Sequence, residues 1–496
     1  MEFVTPEVQL GGIAPELALS IAGLVLLVMH AFVGERFGSW YVPLTASVGF
    51  AVALYLCVAV WGDSELQLGG AIALDGFATF CKAALAIFGL LTVWLSHDYL
   101  RKEGLDESEF YALALFAVAG MMLMAGAADL MVMFLALETF SICLYVMVGY
   151  RRRSLAGQES AMKYFLLGAF SSAFFLLGIA LVYGATAATN LYRSTDAAGG
   201  ESIQAFLAGS ATSEVGLLIL GAGLLIVGLG FKVAVVPFHM WTPDAYQGAP
   251  SPVTGFMAAG SKLAGFAALI RLFDVVLFSL RWDWRPLLIA IGVATMVVGS
   301  VVAVVQEDVK RILAYSSIAH AGFVLTGVIA ASDGGISGSL FYLATYGITV
   351  LGSFAVVAVL AGRNEQRVRL VDYRGLFFDN PLLAGALTLF LLSLAGVPIT
   401  VGFVGKLLVF GAAIDAGYSW LVVLGVLTSA IAAFFYLRIM VVMYMQEADE
   451  ERPGVRIGRL PGLVIGLAAL ATLGLGLYWG PLIDLAERAT VFFAGV

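Results

Sequence analysis

The sequence is poor in charged residues. Of its 496 residues only 12% are Asp, Glu, Lys or Arg, whereas 61% are hydrophobic. Soluble globular chains carry about 25% charged residues, so roughly half of the usual charge is missing. Apolar runs long enough to cross a hydrocarbon core of about 30 Å as a helix recur from Ile13 almost to the C-terminus. The composition excludes a soluble globular fold and predicts an all-α polytopic membrane protein.

Cysteine is scarce as well, and the standard cofactor motifs are missing. Cys57, Cys81 and Cys143 lie in three different apolar runs without CxxC spacing, which is typical of small buried hydrophobes rather than of a cluster or zinc site. There is no GxGxxG after a strand, no P-loop and no metal-ligand cluster. The net charge of −8 argues against a nucleic-acid partner. We therefore expect no cofactor or metal ion in this chain, and a driving force that comes from another ion gradient or from a partner.

Long hydrophobic runs are what the sequence has in abundance. They predict about fourteen transmembrane helices, and the run 381–415 is either one span or a broken helix. The first run lacks a basic n-region and reads as a retained span, not a removed signal peptide. The predicted windows are 13–34, 40–62, 73–95, 109–126, 128–150, 160–187, 214–240, 250–279, 284–305, 311–332, 336–361, 381–415, 417–446 and 458–487.

Basic residues are distributed unequally between the two sides of this topology. The loops after odd-numbered helices hold fifteen Lys and Arg residues, and the opposite side holds four. Because basic loops stay in the cytoplasm, both termini are predicted to lie outside it, in a bacterial cytoplasmic membrane. The imbalance also supports an even number of helices.

Lysine is the most informative residue type. Only seven lysines occur, and five lie inside apolar windows, where each costs roughly 2.5–3.5 kcal/mol at a helix centre. Charged residues at such positions normally face the protein interior or a water-filled path and move ions or protons. Together with one carboxylate, the candidate residues are Glu138, Lys163, Lys232, Lys262 and Lys406.

Glu138 and Lys163 lie in consecutive predicted helices. If the connection turns near Arg153, the two side chains are within about 8 Å of the same depth. The sequence therefore predicts a Glu138–Lys163 contact across antiparallel helices, which would serve either proton transfer or packing as a buried ion pair.

Two of the lysines stand beside predicted helix breaks. Lys232 occurs in GLGFKVAVVPFHMW, where Pro237 cannot donate to the carbonyl of Val233, so the helix should kink or open there. Lys406 occurs in AGVPITVGFVGKLLVF, where a proline and three glycines weaken the helix. Interrupted spans are tolerated only where protein covers the backbone or a wet cavity is present. The two lysines are therefore predicted to mark corresponding points of two structural repeats.

The helix count divides the chain into four segments. Helices one to three occupy 1–108, a first five-helix unit occupies 109–279, a second unit occupies 280–446, and helix fourteen lies in 447–496. An odd number of helices in each unit inverts the second copy in the bilayer. Lysines at matching places in inverted copies would give two half-paths, one open to each side.

Further candidates lie between and around these breaks. Lys262 stands between them in sequence and could relay protons, because burial and neighbouring charge tune the proton affinity of a lysine but not of an arginine. His239 and His320 are accessory candidates, with ordinary hydrogen-bonded structure as the alternative for each. Lys82 has no carboxylate nearby in sequence and is expected to snorkel or pack.

Several motifs resemble one family. The run 231–271, FKVAVVPFHMWTPDAYQGAPSPVTGFMAAGSKLAGFAALIR, is similar to the proton-translocation core of the antiporter-like subunits of respiratory complex I. WTPDAYQGAPSPVT, the Ser-Lys pair at 261–262 and LVDYRGL at 370–376 resemble the N-type subunit most. DVKRILAYSSIAHAGF and SLAGVPITVGFVGKLLVF are also similar. One departure is Ile399 after Pro398, where the family often has a second proline, so a milder break is expected.

The resemblance implies a fold, a role and a set of partners. The fold would have fourteen helices with two inverted five-helix repeats. The chain would couple quinone reduction to proton export, next to M-type and K-type membrane-arm subunits. NADH, FMN, iron–sulfur clusters and quinone would be bound by partner subunits. The residues at matching positions are Glu138, Lys163, Lys232, Lys262 and Lys406, with His239 and His320 as accessory groups.

Two other functions stay open at this point. A subunit of a multi-subunit cation/proton antiporter would share the core without redox coupling. A membrane-arm subunit of a related hydrogenase or ferredoxin-driven complex would use another electron donor. Co-migration with an NADH dehydrogenase activity would separate these from the first reading.

The basic asymmetry gives a testable topology. Reporter fusions at Arg152 and Arg367 are expected to read cytoplasmic, and a fusion at the C-terminus is expected to read external. A cytoplasmic C-terminus would contradict the even helix count and the inverted second unit.

Overall fold

The computed structural model describes residues 9–33, 40–105, 107–192, 202–209, 215–447 and 456–489. In this part of the chain there are nineteen helices and one short two-stranded sheet. The helices are α1 Ala14–Val33, α2 Tyr41–Ala59, α3 Gly76–Glu103, α4 Glu107–Gly126, α5 Leu130–Val148, α6 Leu155–Thr186, α7 Ile203–Gly209, α8 Val215–Val233, α9 Trp241–Gly248, α10 Ser251–Val276, α11 Arg281–Val304, α12 Val309–Ala330, α13 Asp333–Leu360, α14 Leu376–Asp379, α15 Pro381–Ala395, α16 Val401–Asp415, α17 Ser419–Met445, α18 Arg459–Leu477 and α19 Gly480–Arg488.

The all-α membrane architecture predicted from the sequence is confirmed. Thirteen helices in the described residues are long and apolar enough to cross a membrane. The consecutive helices α15 and α16 fill the remaining window, so 381–415 is a broken helix. All fourteen windows therefore contain helix, although α3 extends eight residues beyond the predicted end at 95. The division into five-helix units stays a prediction.

Polar side chains fix where several helices begin. Asp75, Asp129, Ser154, Asp308 and Ser332 are N-cap residues whose side-chain oxygens accept hydrogen bonds from backbone N–H groups of the first turn. Each such cap satisfies a donor that the helix itself leaves free, which stabilises the helix by about 1 kcal/mol. These caps place helix starts within a few residues of the predicted windows.

A small hairpin between α2 and α3 was missed from the sequence. Strand β1 (Glu65–Gln67) pairs antiparallel with β2 (Ile72–Leu74), and the Gln67 side-chain oxygen accepts from the Gly12 N–H at 2.5 Å. Strands of three residues are too short to show an alternating pattern. The hairpin holds the start of α1 against the start of α3.

The interior of the bundle is formed by α10, α12 and α13. In their most apolar windows, 100%, 94% and 89% of the residues are buried, compared with 33% for α1 and α6. Lys262 lies on α10 and His320 lies on α12, so both belong to the innermost helices. The outer faces of α6 and α17 are apolar and exposed, as expected for helices that meet lipid or another subunit.

One buried carboxylate, Glu365, contacts several segments that carry basic residues. Glu365 accepts from Lys310 Nζ at 2.7 Å and from the Ser251 N–H at 2.5 Å, and lies 3.6 Å from Arg151. Burial alone would raise the pKa of the Glu365 carboxyl, but Lys310 and Arg151 outweigh it and hold this pKa below its ordinary value. The contacts join the start of α10, the start of α12 and the loops after α5 and α13. The segments around Arg151, Lys310 and Glu365 therefore meet on one face of the described part of the chain, here called the basic face.

Two further ion pairs are buried among the helices. Arg271 makes a bidentate pair with Asp75 at 2.9 and 3.0 Å, and both side chains are at most 1% exposed. Lys82 pairs with Glu16 at 2.7 Å and donates to the Gly12 carbonyl at 2.6 Å. Lys82 is 2% exposed and therefore packs in the interior instead of snorkelling, and the carboxylate that pairs with it comes from α1, far away in sequence.

The Arg271–Asp75 pair provides a stability test. Arg271→Met leaves a buried carboxylate without its partner and should lower the free energy of unfolding by about 3–5 kcal/mol. Adding Asp75→Asn, which keeps an oxygen for the α3 cap, should recover most of that loss. Arg152→Met is the control, since this side chain is 82% exposed in its contact with Glu109, and it should cost less than about 1 kcal/mol. Urea unfolding of the purified chain in detergent measures all three, and equal losses for Arg271→Met and Arg152→Met would contradict the assignment.

Candidate functional site

Lys232 lies at the end of α8 in an aromatic cage. The helix ends at Val233 and α9 begins only at Trp241, which confirms the predicted break beyond the lysine. The side chain is 2% exposed, and its Nζ lies 3.3 Å from the Tyr164 hydroxyl and 4.7 Å from the centroid of Phe140. Within the described ranges it forms no ion pair. The ammonium is therefore held by ring faces and one hydroxyl instead of a carboxylate.

Lys262 joins the broken helix to the second half of the chain. It follows a π-helical stretch, Met257–Ser261, and its Nζ donates to the Val233 carbonyl at 3.1 Å and to the Ser317 carbonyl at 2.6 Å. Val233 is the residue after Lys232 and the last residue of α8. The amine of Lys262 therefore contacts the residue that follows Lys232 in the chain. Its two hydrogen bonds join α8 to α12.

His320 lies on α12, about one helical turn beyond the Ser317 carbonyl that Lys262 contacts. Its Nδ1 lies 2.7 Å from the Tyr342 hydroxyl, and its Nε2 lies 3.2 Å from the Tyr436 hydroxyl. It is three residues beyond Ser317, which places both on one side of the helix. A cavity of about 10 Å³ beside His320 and Ser393 is large enough for about one water molecule.

Lys406 lies at the second break. Its Nζ donates to the carbonyls of Leu394 and Ala395 at 3.1 and 2.9 Å and to the Ser429 hydroxyl at 2.7 Å. The break between α15 and α16 contains Gly396 and Ile399, both with positive φ, at 86° and 80°. The single proline therefore did not make this break mild, because Ile399 itself adopts the left-handed region.

Lys232 and Lys406 occupy different positions relative to their breaks, unlike the prediction that they mark corresponding points of two repeats. Lys232 comes just before its break, whereas Lys406 is the sixth residue of the half-helix after its break. At each break, one lysine ammonium donates to a free carbonyl at the end of the helix that precedes the break. This lysine is Lys262 at the first break and Lys406 at the second. A cation is favourable there because the C-terminal end of a helix carries partial negative charge. In contacts, Lys262 is the counterpart of Lys406.

The predicted Glu138–Lys163 contact is not present. Glu138 accepts a hydrogen bond from Ser172, whereas Lys163 pairs with Glu159 at 2.7 Å and with Asp244 at 2.9 Å. The prediction was wrong because of helix register: Ser172 lies nine residues beyond Lys163, about 14 Å further along α6. Lys163 is also 46% exposed, unlike the three interior lysines.

Asp244 and His239 complete the surroundings of the first break. Asp244, on α9, pairs with Lys163 and also with Arg311 at 2.7 Å, so it connects the two predicted units. Sequence reasoning gave Asp244 no role, although an acidic residue directly after a predicted break was a usable signal. His239 is half-buried in the segment between α8 and α9, and its Nδ1 has no hydrogen-bond partner among the described residues.

The geometry brings together four of the seven candidates and leaves three apart. Lys232, Lys262 and His320 are linked by shared or neighbouring contact residues, and Lys406 follows through Phe323, whose ring lies 4.9 Å from the amine and 5.6 Å from the His320 ring. Glu138, Lys163 and His239 lie outside this row, although Glu138 is near enough to act electrostatically on Lys232. Among the described residues no group of three His, Cys, Asp or Glu side chains could hold a metal ion. The arrangement suits proton transfer between groups that gain and lose charge.

Comparison with known proteins adds a family. Residues 127–432 match the family described as NADH:quinone oxidoreductase/Mrp antiporter, transmembrane. The chain is 43% identical to NADH-quinone oxidoreductase subunit N of Salinispora arenicola, over 99% of each chain. A chain of respiratory complex I from Thermus thermophilus with bound Aureothin is 35% identical with a TM-score of 0.79, over 95% of this chain and 99% of that one. A chain of the Mrp complex from Dietzia sp. has a TM-score of 0.83 over 96% of both chains, but at 23% identity it shows the shared fold alone.

The identity to the Salinispora arenicola subunit covers nearly the whole chain and so extends beyond the residues that the family model matches. It includes the first three helices and the last one, which lie outside the family match at 127–432. The chain therefore belongs to the family of N-type antiporter-like membrane subunits of NADH:quinone oxidoreductase.

Proposed function

We propose that this chain translocates protons across the membrane and couples that step to quinone reduction in partner subunits. Protons would move along the row Lys232, Lys262, His320 and Lys406 near the middle of the bilayer. The observation that carries the proposal is that three interior lysines, at most 6% exposed, make no ion pair in the described part of the chain.

The other buried lysines show what a structural lysine looks like here. Lys82 pairs with Glu16 at 2.7 Å, and Lys310 pairs with Glu365 at 2.7 Å. An ammonium without a carboxylate partner is costly in the interior, and packing of the helices alone does not require one. Arginine would hold its proton permanently, whereas lysine can release it. The unpaired lysines are thus suited to carry a charge that changes.

Glu138, Lys163 and His239 take peripheral places in the proposal. Glu138 and Lys163 lie near the outward faces of α5 and α6, where residues such as Leu135 and Phe165 are exposed. These faces are available to a neighbouring M-type or K-type subunit, whose charge would act on Glu138. His239, within the first break, would exchange protons between Lys232 and water.

The surroundings of the subunit follow from the same proposal. NADH, FMN, iron–sulfur clusters and quinone would be bound by other subunits of the complex. The basic face would lie in the cytoplasm of a bacterium, and both termini on the other side. An antiporter subunit remains the alternative, but the 43% identity to an N-type subunit against 23% to the Mrp chain favours the first function.

The Lys232 site tests proton transfer directly. Lys232→Met keeps the length of the side chain and should allow assembly while lowering proton export by about tenfold or more. Lys232→Arg keeps a charge that is not released and should be impaired as well. Lys102→Met, at an exposed position on the basic face, is the matched control and should behave as wild type. Quinone-linked NADH oxidation and proton uptake in inverted vesicles, normalised to assembled complex, are the measurements. Normal activity in both Lys232 variants would remove Lys232 from the pathway.

The different contacts of the lysines predict different effects on stability. Lys262→Met removes the donor to the Val233 carbonyl and Lys406→Met removes the donor to the Leu394 carbonyl, and each substitution should cost about 1–3 kcal/mol. Lys232→Met leaves no such carbonyl and should cost less than either. Thermal unfolding of the purified chain in detergent ranks the three. A Lys232→Met variant less stable than the other two would contradict the capping role assigned to Lys262 and Lys406.

A further inference from the structure

Asp274 is a buried carboxylate without a partner. It lies in the π-helical stretch Ile270–Val276 that ends α10, and it is 6% exposed. Both of its oxygens are buried and accept no hydrogen bond, and it forms no ion pair in the described residues. Asp75 and Glu16, which are buried on the same side of the bundle, each have a cationic partner, and the buried Asp129 accepts hydrogen bonds from the Met131 N–H and the Thr189 hydroxyl.

The side chain lines a cavity that reaches the surface. The cavity has a volume of about 580 Å³, and its walls include Gln204, Leu207, Phe278 and Asp333. Phe278 and Asp333 are exposed and form the rim, whereas Asp274 lies at the buried end. Water can therefore reach the neighbourhood of an acid that the helix bundle otherwise covers.

The cavity opens on the face opposite the basic face. Helix α10 begins at Ser251, whose N–H donates to Glu365 of the basic face, so its other end lies on the far side. Asp274 is twelve residues beyond Lys262 on the same helix, about 18 Å along its axis. One helix thus carries an interior lysine and an acid beside water.

The charges around Asp274 do not neutralise it. Arg285 of α11 acts on it electrostatically, but this guanidinium donates to the Tyr418 hydroxyl at 3.2 Å. Asp333, on the cavity rim, carries the same charge. An ionised carboxylate buried without a donor is very costly, so the side chain is stable there as the neutral acid.

We infer that Asp274 is a proton-binding site that exchanges protons between the bundle interior and the water of this cavity. A proton fits the site better than a metal ion, since no group of three acidic, His or Cys ligands exists in the described residues. The inference rests on the proposed function, in which the lysine row supplies the protons that Asp274 releases on this face.

Carbodiimide labelling tests the state of the acid without measuring pumping. Dicyclohexylcarbodiimide adds the O–H of a protonated carboxyl across its N=C bond, and the adduct rearranges to a stable N-acylurea. In membranes holding the whole complex, peptide mapping should find the adduct on Asp274 but not on Asp75, which is also buried but forms a salt bridge with Arg271. An unlabelled Asp274, equal labelling of both, or protection of Asp274 by Na⁺ or Ca²⁺ would overturn the inference.

Substitution then tests proton exchange. Asp274→Asn should lower proton export at least about tenfold, and Asp274→Glu should retain most of it. Asp283→Asn, at an exposed acid in the first turn of α11, is the control. Normal export with Asp274→Asn would overturn the inference.

If Asp274→Asn does not assemble, the wild-type complex decides. Export should fall in step with the labelled fraction of Asp274, and full labelling with retained export would overturn the inference. Normal export in Lys262→Met would instead contradict the proposed function while leaving the labelling result unchanged.

Discussion

The structure depends on keeping ammonium groups in a hydrocarbon interior without carboxylate partners. An ion there must find dipoles, and the bundle supplies them in two forms. Lys232 lies among aromatic rings and one hydroxyl, whereas Lys262 and Lys406 lie at the carbonyl ends of half-helices. Helix α8 stops at Val233 and α15 stops at Ala395, so each break exposes carbonyl oxygens that can accept hydrogen bonds from an ammonium. The broken helices therefore supply the hydrogen-bond acceptors that the buried Lys262 and Lys406 need.

Buried ion pairs elsewhere in the molecule hold the frame in which this occurs. Asp75–Arg271 joins the start of α3 to the end of α10, and Glu365–Lys310 joins the loop after α13 to α12. Both pairs make further hydrogen bonds, from Arg271 to the Ala125 carbonyl and from Lys310 to the Ala249 carbonyl, which helps a buried pair to be stable. The paired charges thus fix the positions of helix ends near both faces of the bundle. The lysines without a carboxylate partner lie between these two faces.

Much of the fold could be predicted from the sequence, because hydrophobic length and Pro or Gly interruptions are local signals. The fourteen windows and both breaks are examples. Contacts between distant segments were not accessible in the same way. The Lys82–Glu16 pair depends on long-range packing that brings the start of α1 to α3. The error at Glu138 and Lys163 came from a shift of helix register that no local pattern encodes. Asp244 and Asp274 were visible as acidic residues in apolar surroundings, but only packing shows that one is paired twice and the other not at all.

Lys262 bonds to two helices that belong to different halves of the chain. Its ammonium group donates to Val233 at the end of α8 and to Ser317 on α12. When the ammonium loses its proton, both hydrogen bonds lose their charge assistance together. The contact that Lys262 makes between α8 and α12 is therefore strongest while the lysine is charged and weaker once it is neutral. A change in the protonation of Lys262 would therefore change how strongly the two halves of the chain are held together at this point.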